Sequence, residues 1–144
     1  MNYDPRFTDP MREELTSIGV SELRTAADVD AFLAEKRGTA LVVVNSVCGC
    51  AAGMARPGLK AALASGGARP DRVASVFAGV DREATARARE SFGANAPSSP
   101  SFALFRDGEL FHFVPRWKIE GRDASALAQE LTAAFASAAP ARRA

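Results

Sequence analysis

Two side chains in this sequence carry nucleophilic or redox chemistry at close range. They are Cys48 and Cys50, the only cysteines, set one residue apart in Asn45-Ser46-Val47-Cys48-Gly49-Cys50-Ala51-Ala52-Gly53. A thiolate, not a thiol, is the attacking species, so where Cys48 sits matters as much as what it is. The apolar run that precedes it reads as a strand and the Ala-rich stretch that follows reads as a helix. At such a junction Cys48 faces unpaired backbone N–H groups and the positive end of a helix dipole, which both favour the anion. The expected result is a lowered pKa. No Lys, Arg or His stands beside the motif, and Arg56 lies too far along the helix, so the backbone supplies most of the effect unless a side chain arrives from elsewhere.

Cys50 is placed to act as a resolving thiol. With Gly49 alone between the sulfurs, a disulfide closes a small ring with constrained backbone angles, for which Gly is the least costly residue. Strain of that kind makes the couple more oxidising, or leaves Cys48 working as a single thiol. Other readings stay open at this point: buried cysteines are common core residues, and thiolates bind metals. A structural zinc site asks for four Cys or His ligands, and the chain offers Cys48, Cys50 and His112, so one copy cannot complete it.

The elements that must position these thiols belong to a chain of 144 residues, enough for one domain spanning 1–144 with a full core. Hydrophobic residues make up 47% and charged residues 24%, with a net charge of +1 and both signs interspersed. That balance gives no electrostatic footprint for nucleic acid. No run approaches the roughly 20 apolar residues of a membrane span, and the first residues lack the apolar centre of a secretory signal. The expectation is a cytoplasmic protein, where a close Cys pair is more often catalytic, redox-sensing or metal-binding than structural.

Residues 1–9 read as an irregular, flexible arm. Asp9-Pro10 reads as a cap before a helix over Met11 to Ile18, stopped by Gly19. Val20 to Leu23 is an edge strand. Thr25-Ala26-Ala27-Asp28 resembles a capping box for a helix that presents Val29, Phe32 and Leu33 and ends at Gly38. Thr39 to Val44 is continuously apolar and β-branched, the pattern of a central strand covered on both faces. Cys50 to Ala64 follows as a helix kinked at Pro57. Arg72 to Val80 is a second strand, with Asp81 capping a helix over Arg82 to Ser91. Ser101 to Phe105 and Leu110 to Val114 form a hairpin around Asp107-Gly108. Asp123 to Ala138 is an amphipathic helix, and residues 139–144 fray.

The order β-α-β-α-β-β-α, with an extra N-terminal helix, is that of an α/β thioredoxin-like fold, a mixed central sheet flanked by helices on both faces. In that fold a proline loop ahead of the hairpin lies against the thiols. Pro100 occupies that place, and the backbone of Ser99 is then positioned to pair with a substrate segment. Asn45 and Ser46 tie down the loop or hydrogen-bond a substrate. His112 alternates with Phe111 and Phe113 and reads as a surface or half-buried residue, while Arg116 and Trp117 either rim a binding surface or pack.

The stretch from Asn45 to Gly53, with Ala55-Arg56-Pro57 after it, resembles the signature of the bacilliredoxin family, thioredoxin-like proteins with a Cys-Gly-Cys motif. Met11 to Thr16 with Gly19-Val20, Pro97-Ser98-Ser99-Pro100-Ser101, and His112 to Arg116 through Ile119-Glu120-Gly121 are similar to that family too. Trp117 and the Arg-rich tail fall outside the pattern. The resemblance implies a thiol-disulfide oxidoreductase without a bound cofactor or metal. Its thiol substrate is bacillithiol, which it removes from cytosolic proteins carrying it as a mixed disulfide. By the same resemblance, Cys48 attacks and takes the bacillithiol, and either Cys50 or a second bacillithiol then expels it; Asn45, Ser46, Gly49, Gly53 and Arg56 support the motif, with Ser99 and Pro100 on the substrate side. A flavin-dependent bacillithiol disulfide reductase is the implied partner. The competing readings are a general disulfide isomerase or reductase indifferent to bacillithiol, and a thioredoxin-fold metal or cluster carrier.

Overall fold

The computed structural model describes residues 3–139. Helix α1 spans Pro5–Thr16, strand β1 Ser21–Glu22, α2 Ala26–Ala34 and β2 Thr39–Asn45. A π-helical turn at Ala51–Ala55 leads into α3, Arg56–Ala64. There follow β3 Arg72–Phe77, α4 Arg82–Arg89, β4 Ser101–Arg106, β5 Glu109–Val114, a 3-10 turn at Arg116–Lys118 and α5 Ala124–Ala138. The five strands pair in the order β1-β3-β2-β4-β5, with β1, β3 and β2 parallel and β4 and β5 antiparallel to their neighbours. This is the α/β fold with helices on both faces that the element order predicts.

Strand alternation divides the core. Leu41 and Val43 of β2, with Phe102 and Leu104 of β4, face α1, α3 and α5, while Ala40, Val42 and Val44 face α2 and α4. Every residue of β2 is buried, the apolar run from Ala40 to Val44 together with the polar Thr39 and Asn45 at its ends. The hairpin turns through Asp107 and Gly108, both at positive φ (49° and 84°), the geometry of a tight type I′ turn.

Three local expectations are corrected. The first helix starts at Pro5, not Met11, so residues 5–9 are helical instead of an irregular arm. Asp4-Pro5 is a second cap-and-proline pair. Asp4 accepts the Arg6 N–H at 2.8 Å, and Pro10 is carried inside the helix. Helix α2 uses the Thr25–Asp28 capping box but ends at Ala34, before Gly38. There Arg72 of β3 donates to the carbonyls of Phe32 (2.6 Å) and Glu35 (2.5 Å), satisfying acceptors that the helix leaves open. Asp81 stands at the start of α4 without capping it, because its carboxylate is bonded to Arg12 at 2.8 Å. Of the segments expected to be flexible, 1–9 and 139–144, residues 1–2 and 140–144 lie outside the described residues. Among the described residues no helix is long and apolar enough to cross a membrane.

Helices α3 and α5 meet closely at Gly58, where an added Cβ would lie 2.9 Å from Leu127 Cδ2 and 3.3 Å from the Ala124 carbonyl oxygen. Leu127 is fully buried and has little room to yield. Gly58→Val is therefore expected to lower stability by about 2 kcal/mol through overpacking, read as a lower urea midpoint with an unchanged slope. An unchanged midpoint would mean that the two helices are free to separate.

Candidate active site

β2 ends at Asn45, and the chain leaves the sheet through Ser46 and Val47 to reach the thiols. This exit is held by side-chain hydrogen bonds. Asn45 Oδ1 accepts from the Ser46 N–H and from Arg56 Nη1, both at 2.9 Å, and Arg56 Nη1 also donates to the Ser46 carbonyl at 2.8 Å. Arg56 Nε meets Glu14 of α1 at 3.0 Å. Ser46 Oγ in turn accepts the Cys48 N–H at 3.1 Å. Asn45 and Ser46 thus tie down the loop, and Arg56, remote in sequence, positions both.

Beyond the motif, Ala51 and Ala52 N–H donate to the Cys48 carbonyl at 3.1 and 3.2 Å. The expected single helix from Cys50 to Ala64 is in fact two pieces, the π turn and then α3. Pro57 explains the break. At the second position of α3 it falls where the hydrogen-bond pattern changes, so its missing N–H removes no bond from a regular interior. Gly49 and Gly53 have no positive φ, and a Cβ at either would meet nothing within 4 Å. In the dithiol form the backbone makes no demand for glycine at these two positions.

Cys48 and Cys50 are both free and half-buried. Burial acts on Cys48 most strongly and pushes its pKa up, but the Ser46 hydroxyl, the Ala51 and Cys50 N–H groups and the charge of Arg116 together bring it below the ordinary thiol value. The last contributor, Arg116, reaches into the site instead of only rimming it. Arg116 Nη2 stands 4.0 Å from Cys50 Sγ, Nη1 donates to the Ser99 carbonyl at 3.3 Å, and Nε pairs with Glu120 at 2.6 Å. The hairpin register, set in the folded sheet and shifted between Leu104 and Phe105, brings it there: with Phe102 opposite Val114, Arg116 returns beside Ser99 and Pro100.

The Ser99–Pro100 peptide is cis. Its loop is pinned from two sides, by the Arg116 N–H to Ser98 Oγ (3.2 Å) and by Arg89 Nη2 to the Ser98 carbonyl (3.3 Å). Through Arg116 the structure brings Cys48, Cys50, Ser99 and Pro100 together. His112 is half-buried and bonded to Glu130 at 2.9 Å, a tie between β5 and α5. Trp117 is 62% exposed, so it is not a packing residue. Among the described residues no three His, Cys, Asp or Glu side chains cluster as a metal-binding group.

A thiol pair at the carboxyl end of the central strand of this sheet, beside a proline loop ahead of the hairpin, defines a thiol-disulfide oxidoreductase of the thioredoxin fold. The backbone superposes on a thioredoxin mutant from Halobacterium salinarum with a TM-score of 0.54, at 18% identity and covering 85% of this chain and 96% of that one. Mitochondrial thioredoxin 3 of Saccharomyces cerevisiae, in its oxidised form, gives 0.53 at 18% identity, covering 82% and 94%. At this identity the likeness speaks for the fold. Sequence comparison goes further. Residues 3–139 match the family model described as disulphide isomerase. A bacilliredoxin of Bacillus licheniformis is 51% identical over 133 residues, 92% of each chain. One of Salinibacter ruber is 52% identical over 136 residues, 94% of this chain and 80% of its own length. The chain belongs to the bacilliredoxin family.

Because the folded chain lowers the Cys48 pKa, its thiolate forms at a lower pH than in the unfolded chain. The preference this adds to the folded state is complete above the ordinary thiol pKa and is lost as pH falls through the lowered one. Ser46→Ala removes a neutral donor from the anion. The pH midpoint of Cys48 alkylation, followed in a Cys50→Ser background, is expected to rise, and the rate at neutral pH to fall about fivefold. An unmoved midpoint would leave the thiolate independent of Ser46.

Proposed function

We propose that the protein removes bacillithiol from protein mixed disulfides, with residues 1–144 working as one domain. The observation that carries this reading is a pair of free, half-buried thiols one residue apart, joined through Arg116 to the Ser99 carbonyl beside Pro100. The naming of its half-identical relatives as bacilliredoxins supports the choice of substrate.

In the proposed cycle the Cys48 thiolate attacks the bacillithiol sulfur of the mixed disulfide. The client sulfur leaves as a thiolate and takes a proton from solvent. Bacillithiol now sits on Cys48 as a new mixed disulfide. Cys50 then attacks Cys48 and expels reduced bacillithiol, leaving a Cys48–Cys50 disulfide, or a second bacillithiol attacks instead and leaves as bacillithiol disulfide. Two electrons return the pair to the dithiol. They come from bacillithiol, itself kept reduced by a flavin-dependent bacillithiol disulfide reductase. No bound cofactor enters these steps.

Ser99 offers its backbone to the client segment beside Pro100. Gly49 serves the disulfide form, in which the short ring must close, and Gly53 leaves the turn beside the thiols free of side chain. The setting we propose is the cytoplasm, where a reducing poise restores the dithiol between turnovers. The family model's description favours a second reading, a disulfide isomerase or reductase without preference for bacillithiol.

The test is a client protein bacillithiolated on a single cysteine. Wild type is expected to release its free thiol, Cys48→Ala to release none above background, and Cys50→Ala to release it once and stall with bacillithiol on Cys48. Equal release by wild type and Cys48→Ala would sink the assignment. Equal rates on bacillithiol and glutathione mixed disulfides would instead select the isomerase reading.

A further inference from the structure

Arg116 joins three parts of the site that are far apart in sequence. Its guanidinium touches the Cys50 sulfur (4.0 Å) and the Ser99 carbonyl (3.3 Å), and its remaining nitrogen is held by Glu120 (2.6 Å) one helical turn later. The Arg116 side chain is 42% exposed and that of Glu120 52%, so both are accessible at the surface where substrate arrives. The charged groups facing the sulfurs are Arg116 and, through it, Glu120.

We propose that Arg116 supplies the charge for the second half-reaction, its guanidinium stabilising the negative charge that the Cys50 sulfur carries into its attack on Cys48, and that Glu120 sets how much of that charge reaches the sulfur. This rests on the reading that Cys50 resolves the mixed disulfide. In the step itself, the Cys50 proton goes to solvent. A lone pair on Cys50 sulfur forms the bond to Cys48 sulfur, the bond from Cys48 to the small thiol breaks, and its electron pair leaves on that thiol. The cysteine pair is oxidised by two electrons and the departing thiol is the reduced product. Once the disulfide has formed, neither sulfur carries charge. Arg116 then keeps only Glu120 and the Ser99 carbonyl as partners, so it favours the reduced state over the oxidised one. The carboxylate opposes this by partly neutralising the guanidinium in both states.

Geometry and charge give opposite signs for the two partners, which separates this role from simple support of the loop. Dithiodipyridine is a suitable probe, because it is neutral and each thiopyridone it releases is coloured. With one equivalent of probe, attack by Cys48 releases the first, and closure of the Cys48–Cys50 disulfide releases the second. In Arg116→Gln the second release is expected to slow roughly fivefold at neutral pH, the scale of a partly exposed charge interaction, with its pH midpoint moved upward. Arg116→Lys should recover part of the rate, and Glu120→Gln should speed the step and move the midpoint down. A wild type that releases one thiopyridone only would show that Cys50 does not resolve, and both readings would fall together. If wild type releases two while Arg116→Gln keeps the wild-type midpoint, Arg116 acts through the loop alone. The charge role is then overturned, with the resolving role of Cys50 intact.

Discussion

The geometry at the thiols depends on one buried guanidinium. The Arg56 side chain is 3% exposed, and a charge so far from water is costly unless its donors are used. They are used on three elements at once, the Glu14 carboxylate of α1, the Asn45 side chain that ends β2, and the Ser46 carbonyl beyond it. Glu14 is half-exposed, so its pairing is screened and the neutral acceptors bear much of the load. Fixing the Ser46 carbonyl also fixes its hydroxyl beneath the Cys48 N–H. The N-terminal helix is then part of the site's support, through Glu14 and through the Met11 carbonyl that accepts from Asn45 Nδ2 at 3.4 Å.

The same carboxyl edge holds a second buried arginine. Arg12 of α1 reaches Glu22 of β1 at 3.0 Å and Asp81 after β3 at 2.8 Å, and stacks on Phe77 at 5.1 Å. Arg12 and Arg56 clamp α1 across the ends of three parallel strands. Both are committed to acceptors within the fold and neither is among the groups acting on Cys48. Arg116 differs because it is partly exposed and its partners include a sulfur. A single residue type thus serves two ends here, buried and paired where it shapes the loop, half-solvated where it acts on the thiols.

Much of this was legible in the sequence because the signals were local or periodic. The unbroken run from Thr39 to Val44 marked the central strand, Asp107-Gly108 the hairpin and Thr25 to Asp28 the capping box. Together their order identified the fold. The start of the first helix is ambiguous in the sequence because Asp4-Pro5 and Asp9-Pro10 carry the same start signal, and propensity alone does not rank two such pairs. The end of α2 was misplaced because the open carbonyls are satisfied by Arg72, about 40 residues away in sequence. Within the site, the residues of the motif itself could be found by reading along it. Arg116 could not, since its approach to Cys50 follows from the pairing of β4 with β5, and a register is a property of the folded sheet.

The competition at Cys48 explains why so many donors converge there. Burial, the largest single influence, favours the neutral thiol. A fully exposed sulfur would avoid that cost, but it would also lose the converging N–H groups and the hydroxyl. A fully buried one would keep the donors and lose its substrate. The half-buried position resolves this only if the donors are already oriented when the thiolate forms, so that no reorganisation opposes ionisation. Backbone N–H groups of a turn and a hydroxyl held by the exit from β2 meet that condition and do not titrate. The charge of Arg116, shared with Glu120 and reached by solvent, is the adjustable remainder. On physical grounds the fixed donors favour the Cys48 thiolate against burial, and the charge of Arg116 adds to them to the extent that Glu120 leaves it free.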